Sequence, residues 1–363
     1  MRIGMRICIL FVLLLCGVYH MNAYADDYLT ISAVGDIMMG TTYPENVLPP
    51  HDGTGIFDNV KGEFKGSDIV FGNLEGALID EGKTTKCDES TSGNCYAFKT
   101  PTRYVKYLRD AGFNVMSIAN NHSSDFGFEG IESTINTLSS VDIMATGGET
   151  VAHLTIKGKR VAIVGFSSSS SPYSYSLLNV SEAMKIIKML KEANDIVVVS
   201  FHGGAEGKSA THISDRDEVF LEENRGNVIK FSRSVIDAGA DMVVGHGPHV
   251  LRALEVYKGK LIAYSLGNFL TYGMFNIKGP NGLSVILKAS INTETGDFVQ
   301  GDLIPIKLLN GGIPEIDLDK EAVRLVNNLT KEDIGNSNIT IAHSGALLKM
   351  EKDQGNSFSL RTP

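Results

Sequence analysis

The sequence predicts an α/β fold: facing mixed β-sheets with helices on the outside. Short β-rich runs alternate with helical patterns along the first half of the chain, and hairpins follow. That order belongs to α/β organisation with sheets of mixed direction. The strand candidates are near-continuous apolar runs, such as Ile196 to Phe201 (IVVVSF), which suits strands covered on both faces. No linker, heptad or repeat divides the chain.

Tyr28 to Val34 reads as a strand ending at Gly35-Asp36, and Asp68 to Phe71 as one ending at Gly72-Asn73-Leu74-Glu75. Thr102 to Ala111 places Tyr104, Val105, Leu108 and Ala111 on one helical face, and Gly112 stops it. Asn114 to Ile118 is a strand leading to Asn120-Asn121-His122. Phe128 to Ser139 is helical, with Ile131, Ile135 and Leu138 on its apolar side, and Asp142 to Ala145 is a strand. Val151 to Ile156 and Arg160 to Phe166 form a hairpin around Lys157-Gly158-Lys159. Ser181 to Asn194 is a helix that Ser181 can cap. Ile196 to Phe201 ends at His202, and Val228 to Ala238 is a helix. Asp241 to Val244 is a strand ending at Gly245-His246. Leu251 to Tyr257 pairs with Leu261 to Ser265, and Leu283 to Ile291 with Phe298 to Lys307. Residues 26–310 therefore form the main domain. Residues 311–363 form an extension with one helix, Glu321 to Leu329, and a frayed end from Gly355.

The first 25 residues read as a cleaved leader. Arg2 and Arg6 precede the apolar run Ile7 to Val18, and Ala23-Tyr24-Ala25 gives a cleavage pattern before Asp26. The run is shorter than the roughly 20 residues a membrane helix needs, although an uncleaved anchor is the alternative. Leu15 before Cys16 is too large for a lipoprotein site. The expected location is periplasmic or extracellular. There, the surviving pair Cys87 and Cys95 reads as a disulfide closing a polar loop, with a stabilisation of ~2–3 kcal/mol. Loss of Arg2 and Arg6 with the leader takes the formal charge from −9 to −11. That acidity disfavours nucleic acid and anionic membranes as partners. Ser167 to Ser171 is a serine run suited to a lid or a plain loop.

The chemistry lies at the strand ends. Asp36, Glu75, Asn121, His122, His202 with Glu206, and His246 with His249 follow five of the apolar runs. In open α/β sheets, ligands bind beyond the carboxyl ends of the strands. Each residue alone has an ordinary reading as a turn, cap or surface residue. Their recurrence at successive strand ends points to a shared partner, because buried polar groups need one. The donors are mixed O and N without cysteine, which suits Mn, Fe or Zn. Two such ions roughly 3.5–4 Å apart can clamp the attacking and leaving oxygens of a phosphoryl displacement. His122 or Glu206 could act as the acid or base. Lys83, Lys86, Lys99 and Arg103 surround the cysteine loop and could attract an acidic polymer, or simply be solvated.

Six segments together resemble the poly-γ-glutamate capsule biosynthesis proteins of the CapA family, in the family's order. They are Gly35-Asp36-Ile37-Met38-Met39-Gly40, Gly72-Asn73-Leu74-Glu75-Gly76, Ala119-Asn120-Asn121-His122, His202-Gly203-Gly204-Ala205-Glu206, Gly245-His246-Gly247-Pro248-His249 and Ser265-Leu266-Gly267-Asn268-Phe269. The resemblance implies a calcineurin-like metallophosphatase sandwich, two facing mixed sheets flanked by helices. It also implies an extracytoplasmic role in making, exporting or anchoring poly-γ-glutamate, beside membrane-bound capsule synthesis components. It implies metal ligation by Asp36, Glu75, Asn121, His202, His246 and His249. Active metallophosphatases place a histidine two residues after the first aspartate, where this chain has Met38. They use an aspartate where this chain has Glu75, and two histidines two apart where His246 and His249 are three apart. One or two ions, and either a metal-dependent hydrolase or a non-catalytic polymer-binding component, are both compatible with that pattern.

Overall fold

The computed structural model describes residues 27–84, 86–87, 95–147, 150–169 and 174–350. The expected leader, Ser170 and Ser171 of the serine run, the interior of the cysteine loop and the frayed end lie outside them. Two large mixed sheets form the body. The first has ten strands, ordered Ile339–Ile341, Ala346–Lys349, Phe298–Leu309, Leu283–Asn292, Tyr28–Met38, Ile69–Leu74, Val115–Ser117, Met144–Thr146. Asn268–Thr271 also pairs with Tyr28–Met38, and Ile313–Ile316 with Phe298–Leu309. The second has seven, running Leu254–Tyr257, Lys260–Ala263, Met242–His246, Ile196–His202, Lys159–Ser167, Ala152–Ile156, with Tyr175–Ser176 beside Lys159–Ser167.

The sheets face each other, as the apolar runs require. Leu29, Ile31, Ala33, Phe71 and Val115 of the first pack against Val161, Ile163, Val198 and Val244 of the second in one dry core. The opposite faces are covered too. Tyr104, Leu108 and Ile131 of the helices Val105–Ala111 and Gly127–Ser139 (and the turn before the first) lie on the first sheet. Ala183, Ile187, Phe231 and Val235 of the helices Val180–Ala193 and Val228–Asp237 lie on the second. Helix Glu321–Leu329 contributes Ala322, Val323 and Val326 to the inter-sheet core.

Several boundaries differ from the sequence reading. The first strand runs through Asp36 to Met38, because its pairing register slips between Ala33 and Asp36. Ala33 faces the inter-sheet core while Ile37 packs on the opposite side. An extra residue in a strand exchanges its faces, and here it turns Asp36 inward. Gly35 makes this approach feasible, since a Cβ there would lie 1.9 Å from the Gly267 carbonyl oxygen. The helix expected from Thr102 is a 3₁₀ turn up to Tyr104 and becomes α-helical at Val105. The cap of the Val180–Ala193 helix is Asn179, whose side chain accepts from the Glu182 amide at 3.2 Å. Ser181 lies inside the helix. The strand expected from Leu251 begins at Leu254. Cys87 and Cys95 are joined by a disulfide.

Candidate metal centre

Three parallel strands build the floor of the site. Asp36 is in register with Asn73 on one side and Asn268 on the other. Asn73 Nδ2 donates to Asp36 Oδ1 at 2.8 Å, and Asn120 Nδ2 donates to Asn73 Oδ1 at 3.0 Å and to the Leu74 carbonyl at 2.9 Å. The carboxylate is therefore aimed by a chain of amides, all of them buried.

His249 crosses from the turn after Met242–His246. It adopts φ 58°, a left-handed conformation uncommon outside glycine, which the surrounding contacts hold. Its Nδ1 lies 3.0 Å from both Asp36 Oδ2 and Asn268 Oδ1. Its Nε2 is 3.6 Å from Glu75 Oε1 and 3.9 Å from Glu206 Oε2. Asp36, Glu75 and His249 each bring one donor atom, and these atoms all lie within 4.8 Å of one another.

The polar atoms nearby are short of partners. Both Glu75 carboxylate oxygens, Asn121 Oδ1 and His202 Nε2 are buried without a hydrogen bond. His202 Nδ1 lies 3.3 Å from Asn73 Nδ2. Unpaired buried acceptors cost about 1–3 kcal/mol each, and more when charged. A divalent cation is the partner that this donor set fits, since carboxylate, amide and imidazole donors suit first-row metals.

Charge is organised around the same point. Burial lifts Glu75 to about 8, with Asp36 and Glu206 adding to the lift and His249 opposing it. Burial also opposes the charge on Asp36, but the hydrogen bond from His249 and the surrounding histidines draw it down to about 2. His249 is pushed down by burial and lifted more strongly by Glu75, Asp36 and Glu206, to about 10. The three share protons as one unit. Burial keeps His202 well below the ordinary histidine range, which leaves it neutral, the form a metal takes.

His122 borders this group. Its Nδ1 is 2.8 Å from Asp125 Oδ2 and its Nε2 3.9 Å from Glu75 Oε1, with the Phe98 ring 4.3 Å away. Burial lowers its basicity. Glu206 contacts Arg225 through Oε1. His246 is not brought into the group. Its Nε2 is 3.0 Å from the Val34 carbonyl and its Nδ1 3.4 Å from Ser200 Oγ, so the ring ties the two sheets together. Met38 is equally occupied, its sulfur accepting from the Gly40 amide at 3.2 Å.

The sequence match follows this geometry. Residues 30–272 match the bacterial capsule synthesis protein family, PGA_cap. The chain belongs to that family. The chain is 33% identical over 265 residues to the PGA biosynthesis protein CapA of Bacillus subtilis strain 168, covering 69% of this chain and 65% of that one. It is 29% identical over 328 residues to the capsule biosynthesis protein CapA of Bacillus anthracis, covering 85% and 74%. Among solved structures it is similar to the calcineurin-like phosphoesterase YfkN of Bacillus subtilis. That likeness has 14% identity and a TM-score of 0.42 over 85% of this chain and 97% of that one.

Strand-end chemistry points to the candidate ligands but not to the residues that orient them. Asn73 and Asn268 sit in the GNLEG and SLGNF segments, so a signal was available. Asp125 stands three residues after His122. Arg225 sits in a charged hairpin, Glu218–Phe220 with Glu223–Gly226, whose composition gives no strand signal.

Proposed function

We propose that this protein is exported and acts in making, exporting or anchoring a poly-γ-glutamate capsule, using a strand-end metal centre to hydrolyse or transfer a linkage in an anionic substrate. The observation that carries the reading is the set of unpartnered buried donors on Glu75, Asn121 and His202 beside the Asp36–His249 pair. Asp36, Glu75, His202 and His249 would hold the ion, with Asn121 as a further oxygen donor. Mn, Fe or Zn fits these donors. A bound divalent cation would supply Lewis acidity toward a phosphoryl or carbonyl oxygen.

The chain's own residues supply binding and protons. A cavity of about 670 Å³ reaches His249 and Asn268 and is lined further by Glu206, Phe220, Phe275 and Lys278. Lys208 and Lys278 at this cavity would attract a polyanion, while the rings exclude water. His122, with Nδ1 engaged by Asp125, presents Nε2 toward Glu75 to give or take a proton. Glu206 is already held by Arg225, so it serves better in charge balance than as a mobile base.

A second reading has its own support. His246 is committed to Val34, and Met38 stands where a further ligand would be expected. That incomplete ligand set suits a single ion, or a polymer-binding component without turnover. Export rests on the leader, and no helix among the described residues is long and apolar enough to cross a membrane. Membrane-bound capsule synthesis components are the proposed partners.

The test is turnover by metal-loaded mature protein on a general phosphodiester and on poly-γ-glutamate, with Asp36→Asn and His202→Ala alongside. Turnover on either substrate, lost in both variants, is expected. Bound metal without turnover on either would leave the polymer-binding role. N-terminal sequencing of the secreted protein should begin at Asp26.

A further inference from the structure

His122 is held from two sides by segments that a disulfide joins. On one side is Lys86. Its ammonium lies 3.1 Å from Asp125 Oδ1, 3.1 Å from the Asn121 carbonyl and 3.3 Å from His122 Nδ1. The backbone there is anchored through Thr84, whose hydroxyl donates to the Asp125 carbonyl at 2.8 Å. The same hydroxyl accepts from the Lys86 and Cys87 amides at 3.2 and 3.3 Å. On the other side is Phe98. Its amide donates to Asp125 Oδ2 at 2.8 Å and its ring packs on His122 at 4.3 Å. Cys87 follows Lys86 directly, Cys95 lies three residues before Phe98, and the two are bonded.

Asp125 is the centre of this arrangement. It is fully buried, and it takes His122 Nδ1 and the Phe98 amide on one oxygen and faces the Lys86 ammonium with the other. A buried carboxylate needs such compensation. Lys86 is the cation in contact with it among the described residues, and its side chain is about one third exposed. A cation that reaches from the surface to a buried acid is easily withdrawn. The crosslink limits that withdrawal by tethering the lysine's segment to the one that carries Phe98.

We propose that the Cys87–Cys95 disulfide is a clamp on His122, with Lys86 as a positioning residue whose ammonium seats Asp125 against His122 Nδ1. Reduction opens the clamp. A dithiol reductant gives two electrons and two protons to the S–S bond, leaves two thiols and departs as its own cyclic disulfide. Lys86 then loses its tether, Asp125 loses its cation, and His122 is free to rotate away from Glu75. The catalytic consequence rests on the function proposed above, whereas the positioning itself does not.

The experiment is imidazole ¹H–¹⁵N correlation spectroscopy on the full mature chain, kept metal-free with a chelator. The His122 resonance is assigned with His122→Gln. Oxidised wild type should show a slowly exchanging Nδ1 proton on His122. Lys86→Met and dithiothreitol-reduced wild type should both lose that signal to exchange, while the amide spectrum of the two sheets stays in place. Lys86→Arg should restore it. Persistence of the signal in both Lys86→Met and the reduced protein would overturn the clamp. So would its loss in Lys86→Met without recovery in Lys86→Arg. Because no metal or turnover enters this measurement, its failure is separate from failure of the functional reading. If the protein turns over substrate, Lys86→Met should lower kcat on the order of 10-fold with KM little changed, the size typical of an outer-shell partner.

Discussion

At the scale of single residues, the site depends on which side chain aims which. Asp36 points inward because Asn73 and Asn268 flank it in register, and Asn73 is itself fixed by Asn120. Asn73→Ala should therefore weaken divalent metal binding by about 10–100-fold without removing a ligand. Calorimetric titration checks this, and an unchanged affinity would mean that Asp36 holds its place without help. Glu75 makes a second prediction. In metal-free protein, burial lifts it from 4.5 to about 8, so above pH 4.5 the folded state keeps a proton that the unfolded chain has lost. The stability this group contributes is full below about pH 4.5 and is lost as pH rises through 8. With chelator present, Tm of wild type should decline across that window more steeply than Tm of Glu75→Gln. Parallel curves would place Glu75 in a more polar setting than the structure gives it. Metal reverses the sign, because its ligands must be deprotonated.

At the scale of elements, the sequence was readable wherever one pattern governed a whole segment. Ile196–His202, Leu283–Asn292 and Glu321–Leu329 lie where their apolar spacing places them, and the resemblance of the strand-end segments gave the order of the site. What escaped had local causes that periodicity does not carry. The register slip after Ala33 turns on one residue and on Gly35 meeting Gly267. Asn268–Thr271 is only four residues long, and its neighbours fix it rather than its own pattern. The hairpin from Glu218 to Gly226 is rich in charge and is held by the Glu218–Arg252 and Glu206–Arg225 pairs, which no alternation announces. Helix capping shows the same limit at a single turn. Ser181 and Asn179 both have capping chemistry, and only the backbone conformation chooses Asn179. Asn179→Ala should cost about 1 kcal/mol and Ser181→Ala less than about 0.5 kcal/mol, measured by urea unfolding. The reverse order would move the helix start by two residues.

At the scale of the whole molecule, two sheets with a shared dry core bring donors from different strands to one point. The first sheet supplies Asp36 and the turn holding Glu75. The second supplies His202 and, through the turn after Met242–His246, His249. His246, on the strand beside His202, binds the sheets to each other through the Val34 carbonyl. Donors drawn from both sheets come together only in the folded chain, so a divalent ion bound there and present at 100 times its dissociation constant should add about 2.7 kcal/mol of stability. The most direct test is the metal content of the purified protein, by elemental analysis after equilibration with Mn, Fe or Zn and removal of free ion. Wild type should retain at least one divalent ion per chain, and Asp36→Asn and Glu75→Gln should each lose it while remaining folded. Absence of bound metal in wild type, or equal retention in both variants, would contradict the central claim.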